Sequence, residues 1–324
     1  MEERQGTKVL VMHDAPELYL DILKDRVPEA RYELCKTAHE VEARLEEVQP
    51  QVVLSYKCLG IPGPAHLPIL ACPSVKWIHV GGTGVDHLYP WDARKVTVTN
   101  CAGLLSGFLA ETTLGAIMML NFGFHRYLRQ QAKKQWQPQP WDSLAGKTLL
   151  VIGLGNIGRR AAEKARSQGM KILGIKNKPG PMPEVDEIFS QSQLHHALAK
   201  ADFVSLHVPI TERTHHMINA KALAHMKPSA FLINVARGPV VDEAALISAL
   251  QEKRIAGAYL DVMETEPLPA DSPLWEMEQV VISPHVADCV SDWQLRFASF
   301  FAENLSRWIR SERLARVVDL NRGY

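Results

Sequence analysis

The chain predicts an α/β fold made of two doubly wound parallel sheets, and three observations predict it. Short runs rich in Val, Ile and Leu recur along its 324 residues. Several are apolar throughout instead of alternating, as parallel strands covered on both faces are. Segments with helical spacing and charged outer faces lie between them, such as AHEVEARLEEVQ (38–49) and DEAALISALQEKR (242–254), and alternating strand and helix is the pattern of a parallel sheet. The alternation breaks once, after Asn100, where a long helical pattern runs from Leu104 to about Gln131 with no strand inside it.

The strand runs, in order, are KVLVMH (8–13), QVVLSY (51–56), VKWIHV (75–80) and VTVTN (96–100) before the break. After it come TLLVIG (148–153), KILGIK (171–176), FVSLHV (203–208), AFLINV (230–235), AGAYLDV (256–262) and QVVISPHV (279–286). A Pro/Gln/Trp-rich loop, QWQPQPWDSLAGK, separates the long helix from the second series. Two sheets joined by that helix fit better than one sheet of ten strands. A second helical pattern, Ser291 to about Arg313, closes the chain. If it returns to the first sheet, the domains are 1–100 with 290–324, and 101–289.

Composition narrows the class. Hydrophobic residues make up 46% and charged residues 22%, which excludes disordered, collagen-like and heptad-fibre chains. Lys+Arg and Asp+Glu are both 36, so there is no overall basic surplus of the kind a nucleic-acid backbone attracts. Cys35, Cys58, Cys72, Cys101 and Cys289 form no CxxC pair. That argues against a disulfide framework and a cysteine zinc site, and suits a reducing compartment. The charged N-terminus runs directly into a strand pattern, unlike a signal peptide. The most apolar stretch, 112–124, is shorter than the roughly 20 residues that span a bilayer. The expectation is a cytoplasmic protein without nucleic-acid or membrane partners.

Residues 148–158, TLLVIGLGNIG, place Gly153, Gly155 and Gly158 as GxGxxG between a strand and the helical pattern RRAAEKARSQGM. The first glycine permits a tight turn, the second lets backbone approach a pyrophosphate, and the third lets helix and strand pack closely. The helix start, at Asn156 and Ile157, offers free N–H groups to phosphate. In this setting the motif predicts dinucleotide binding. An acidic residue at the end of the next strand would meet the adenosine ribose hydroxyls. Lys176, Asn177 and Lys178 stand there instead, and their charge predicts NADP(H) in preference to NAD(H).

Three later segments each carry a polar residue just past a strand's carboxyl end, where ligands bind in open α/β sheets. They are NVARGPVVDEAAL with Arg237, GAYLDVMETEPLP with Asp261 and Glu266, and ISPHVAD with His285. An Arg suits a carboxylate, and a Glu beside a His raises its pKa so that the imidazolium can deliver a proton. With these motifs in order, the sequence resembles the D-isomer-specific 2-hydroxyacid dehydrogenases. GTGVDHL (82–88), LHVPIT (206–211), MKP (226–228) and VVDLNRGY at the C-terminus extend the resemblance over nearly the whole chain. It is similar above all to the glyoxylate/hydroxypyruvate reductase branch.

The resemblance implies a Rossmann-type cofactor domain inserted into a flavodoxin-like substrate domain. It implies that Arg237 binds the substrate carboxylate and polarises the 2-keto oxygen. His285 is then the general acid in reduction and the base in oxidation, with Glu266 as its partner. Backbone N–H groups of Gly82, Thr83 and Gly84 would hold the carboxylate, and Pro209, Thr214, Val235 and Asp261 would line the cofactor. Thr83 and Met263 depart from the family's usual apolar and Phe residues, which bears on substrate detail. The implied reaction is hydride transfer between NADPH, or NADH, and a small 2-keto acid, giving the D-2-hydroxy acid. The other reading is a dinucleotide-responsive, corepressor-like binding protein of the same fold.

The remaining polar signals are read as structural. The pairs His195–His196 and His215–His216 are taken as surface histidines, because adjacent helical residues do not face one site, and no metal site is expected. Glu111, inside the apolar helix, is taken as a buried, paired carboxylate. That helix carries more apolar surface than a monomer should expose, which predicts a homodimer through the cofactor domain.

Overall fold

The computed structural model describes residues 6–88, 90–177 and 180–320. It divides into two compact units, one running to Leu104 and resuming at Val290, the other Leu105–Cys289.

In the first unit the strands are β1 (Lys8–Met12), β2 (Arg31–Cys35), β3 (Val52–Ser55), β4 (Trp77–Val80) and β5 (Thr97–Thr99). They form one parallel sheet in the order β2-β1-β3-β4-β5, the flavodoxin-like order. Helices α1 (Glu17–Arg26), α2 (Val41–Val48) and α3 (Leu67–Ala71) connect them. Val41, Leu45, Val48 and Ile69 pack with Leu10, Met12, Val53 and Ile78 into one buried cluster.

The second unit opens with α4 (Ser106–Phe122) and α5 (Phe124–Ala132). The single long helix expected over 104–131 is broken: Gly123, at φ +72°, ends α4 in the left-handed conformation, and the two axes meet at 63°. Glycine adopts that conformation without steric cost. Among the described residues no single helix is long and apolar enough to cross a membrane; α4 and α5 pass that test only as this bent pair.

Strands β6 (Thr148–Ile152), β7 (Lys171–Ile175), β8 (Glu187–Phe189), β9 (Phe203–Leu206), β10 (Phe231–Asn234), β11 (Gly257–Leu260) and β12 (Val280–Ile282) follow. They pair in parallel as β12-β11-β10-β9-β6-β7-β8. The order reverses between β6 and β9, as in a Rossmann sheet. Helix α6 (Asn156–Ser167) joins α4 on one face, where Ile117, Leu120, Ala162 and Ala165 bury Leu149, Val151 and Ile233. Helices α7 (Leu194–Lys200), α8 (Ala220–Ala224) and α9 (Glu243–Gln251) cover the other, with Leu198, Leu223, Leu246 and Leu250 over Leu150, Val204 and Leu232. Glu111 forms an ion pair with Lys164 on α6, 3.0 Å away, but its side chain is exposed, so the expectation of burial is wrong.

The closing helix α10 (Trp293–Ile309) is shorter than the 291–313 pattern and belongs to the first unit. Its Phe301 and Trp308 rings lie 5.4 and 5.7 Å from Trp77 on β4. The segment beyond it donates from Val318 to Val98 at 2.9 Å.

Candidate active site

The loop after β6 is built by its glycines. Gly153 has φ +98°, and a Cβ there would lie 2.6 Å from the His207 carbonyl oxygen beyond β9. A Cβ on Gly158 would come within 2.0 Å of the Gly153 carbonyl oxygen. At Gly155 a Cβ would meet nothing within 4 Å. The outer glycines hold strand and helix close, and the middle one leaves open the space that a diphosphate needs. Asn156 and Ile157 open α6 directly behind it, with their backbone N–H groups at the positive end of the helix. The residues fit a dinucleotide.

Past β7, Lys176 is half-buried and Asn177 exposed; Lys178 lies outside the described residues. The Lys176 ammonium sits 3.8 Å from the Met182 sulfur. An acidic residue does come within range of the Lys176 charge: Glu184, 6% exposed, pairs with Arg159 from the first turn of α6 at 2.5 Å. It was invisible at the strand terminus because it comes from the loop before β8. Burial works to raise its carboxyl pKa. The Arg159 hydrogen bond, helped by the charges of Arg159 and Lys176, outweighs burial and holds the pKa below the ordinary carboxylate range.

The carboxyl ends of β10, β11 and β12 bring Arg237, Asp261, Glu266 and His285 together. His285 Nδ1 lies 2.8 Å from Glu266 Oε2. An ionised carboxylate only accepts, so Nδ1 carries the proton and Nε2 is the ring's other functional atom. Glu266 Oε1 accepts from the Met263 N–H at 3.1 Å, which fixes the carboxylate. The His285 pKa is raised, first by this hydrogen bond; burial and Arg237 pull it down, and the charges of Glu266 and Asp261 add to the rise. Half-buried Arg237 follows β10 and donates from one terminal nitrogen to the Ala236 carbonyl at 2.7 Å.

His285 occupies left-handed backbone, φ +54°, which costs energy for a branched-ring residue and must be imposed by its surroundings. Asp261 imposes it. Its carbonyl accepts from the His285 N–H at 2.8 Å. Its buried carboxylate accepts from Ser283 Oγ at 2.6 Å, Val286 N–H at 3.0 Å and Ala287 N–H at 3.1 Å. Thr112 of α4 adds a bond to the Ala287 carbonyl at 2.9 Å. Asp288, next in the loop, has its pKa raised by burial against the opposing charges of His285 and Arg237. Sequence spacing gave no sign of Asp261 as an anchor or of Asp288 as a neighbour of this group.

Three of the other expected residues lie beside the same sheet's carboxyl ends. Pro209 and Thr214 sit in the loop after β9, where Thr214 Oγ1 donates to the Pro209 carbonyl at 2.6 Å; Val235 is buried just past β10. In the first unit, Gly82, Thr83 and Gly84 follow β4. Asn100 donates from Nδ2 to the Thr83 carbonyl at 2.8 Å, and the Cys101 N–H donates to the Gly82 carbonyl at 2.8 Å. The histidine pairs stand apart from this chemistry: His195 stacks on His225 at 4.3 Å, and His216 bonds Glu264. Among the described residues no His/Cys/Asp/Glu group is arranged to hold a metal.

Comparison with known proteins converges on one family. Residues 114–287 match the family model described as D-isomer specific 2-hydroxyacid dehydrogenase, NAD binding domain. A glyoxylate reductase of Thermofilum pendens is 38% identical over 252 residues, 75% of this chain and 74% of that protein. A glyoxylate/hydroxypyruvate reductase B of Escherichia fergusonii is 37% identical over 246 residues, 74% of this chain and 75% of that protein. The D-isomer specific 2-hydroxyacid dehydrogenase structure from Xanthobacter autotrophicus, in complex with NADPH and MES, superposes with a TM-score of 0.83 at 30% identity. That match covers 99% of this chain and 100% of that one.

Proposed function

The chain belongs to the D-isomer-specific 2-hydroxyacid dehydrogenase family and is an NAD(P)-dependent dehydrogenase, and from that premise we propose that it reduces glyoxylate, hydroxypyruvate or a similarly small 2-keto acid to the D-2-hydroxy acid, with NADPH preferred. One observation carries the reading: the His285–Glu266 pair stands beside Arg237 at the carboxyl edge of a sheet whose first loop is a glycine cradle.

Gly153, Gly155, Asn156, Ile157 and Gly158 would hold the cofactor diphosphate, with Pro209, Thr214, Val235 and Asp261 along the remaining edge. When bound, the reduced nicotinamide supplies the hydride. His285, its pKa raised through Glu266, in its protonated form gives its Nε2 proton to the keto oxygen as negative charge develops there. Glu266 then keeps the neutral ring oriented through Nδ1–H. In oxidation the same nitrogen takes the hydroxyl proton. Arg237 neutralises the substrate carboxylate and polarises the carbonyl; the N–H groups of Gly82, Thr83 and Gly84 are the further carboxylate donors.

Two features support NADPH: the cation at Lys176, and the NADPH held by the Xanthobacter relative. A homodimer through the second unit completes the reading. The test is a panel of 2-keto acids assayed with NADPH and with NADH, with the product's configuration determined. His285→Ala should lower turnover by about 10²–10⁴, the worth of general acid catalysis, while cofactor still binds. Near-normal reduction by that variant, or no turnover of any small 2-keto acid by the wild type, overturns the reading.

A further inference from the structure

The pair Arg159–Glu184 has no part in the chemistry just described, yet Glu184 is within reach of the charge of Lys176, the first residue past β7, where the adenosine side of the cofactor is decided. Arg159 is the residue immediately after the third glycine of the cradle, in the first turn of α6. Its Nε–H is committed to Glu184, and among the described residues no other group accepts from its guanidinium. Half the side chain remains exposed. The two terminal amino groups of the fork are therefore presented outward with the stem anchored. This is a pre-organised arrangement for a bidentate grip on an oxyanion. Glu184 is spent on Arg159 and is buried, so it is not offered to ribose hydroxyls as an acidic residue at this strand end usually is. Lys176 lies close enough to act on the same carboxylate.

We propose that Arg159 is a second cation, beside Lys176, that contacts the cofactor's 2′-phosphate, and that Glu184 is the positioning residue that aims it. This deepens the NADPH reading and rests on it. The buried carboxylate of Glu184 offsets part of the positive charge of Arg159 and Lys176. The remaining charge favours a phosphate monoester without strongly attracting unrelated anions.

The test is equilibrium binding, independent of turnover. Dissociation constants are measured for NADPH, NADH, adenosine 2′,5′-bisphosphate and 5′-AMP on the wild type and on Lys176→Asp, Arg159→Gln, Glu184→Gln and Glu184→Ala, with thermal melting as the check on folding. Arg159→Gln should weaken NADPH and the bisphosphate by about tenfold or more, the loss of one charge-assisted contact, and leave NADH and 5′-AMP unchanged. Glu184→Gln keeps an oxygen for the Nε–H and should retain the NADPH preference. Glu184→Ala releases the guanidinium and should lose part of that preference. If the wild type binds NADH as tightly as NADPH, the cofactor reading fails and this proposal with it. If Lys176→Asp abolishes the preference while Arg159→Gln keeps it whole, or weakens all four ligands alike, the cofactor reading stands and the role of Arg159 is overturned. An unaltered Glu184→Ala overturns the positioning role.

Discussion

The His285 pKa is raised by a neighbour that can be changed without changing its shape. Glutamine at position 266 keeps an oxygen for the Nδ1–H but removes the negative charge that favours imidazolium. The His285 pKa is raised in the native protein, chiefly by Glu266, so Glu266→Gln should lower it. The sign follows from the roles: reduction needs the protonated ring and declines as pH rises through that pKa, whereas oxidation needs the neutral ring and increases. In the variant, both limbs of the kcat/KM profiles should move to lower pH, and reduction near neutrality should suffer more than oxidation. Profiles recorded in both directions that coincide with wild type would remove Glu266 from its proposed role.

At the scale of elements, the loop from β12 into 287 is rigid because Asp261, at the end of β11, accepts four hydrogen bonds from it, one on its carbonyl and three on its carboxylate. Asp261→Asn turns one acceptor into a donor facing N–H groups. It should cost about 1–3 kcal/mol, the penalty for leaving buried partners unsatisfied. Hydrogen exchange should accelerate at Val286 and Ala287 and stay slow in β9 and β10, with turnover falling as the His285 backbone loses its left-handed constraint. Uniform exchange across the sheet would show that the carboxylate supports the whole unit and not this loop. The same residue shows what the sequence could and could not reveal. Ten runs were legible because β-branched and apolar residues dominate them, even at the sheet edges β5 and β12. β2 and β8, the other two edge strands, were not, because RYELC and EIF mix exposed with buried positions. The side chains proposed as catalytic could be picked out because each follows a strand within a recognisable motif. Asp261's anchoring and the Glu184–Arg159 pair could not. They depend on loops that meet only after folding, and spacing along the chain does not encode that meeting.

For the molecule as a whole, the open question is what covers the end of the second unit. Phe122 at the end of α4 packs edge-on against Trp141 at 4.6 Å and against Phe124 at 5.9 Å. Phe124 and Leu128, one turn apart on α5, are mostly exposed, as is Trp141. This surface is not a loose one: Tyr127 Oη donates to the Gln139 carbonyl at 3.0 Å and Asn121 Nδ2 to the Asp142 carbonyl at 2.8 Å, fixing the Trp-rich loop to the helices. A fixed cluster of aromatic and aliphatic side chains left in water is costly and is of the kind that forms the centre of a subunit interface. A second copy related by a two-fold axis would bury the same residues on both sides at once. Sedimentation should therefore give a dimer at micromolar concentration. Leu128→Glu places a charge at the centre of the cluster without touching the core or the Arg237–Glu266–His285 group, and should give a folded monomer with cofactor affinity retained. A wild type that sediments as a monomer, or a Leu128→Glu variant that remains a dimer, would show that this face is not where two copies meet.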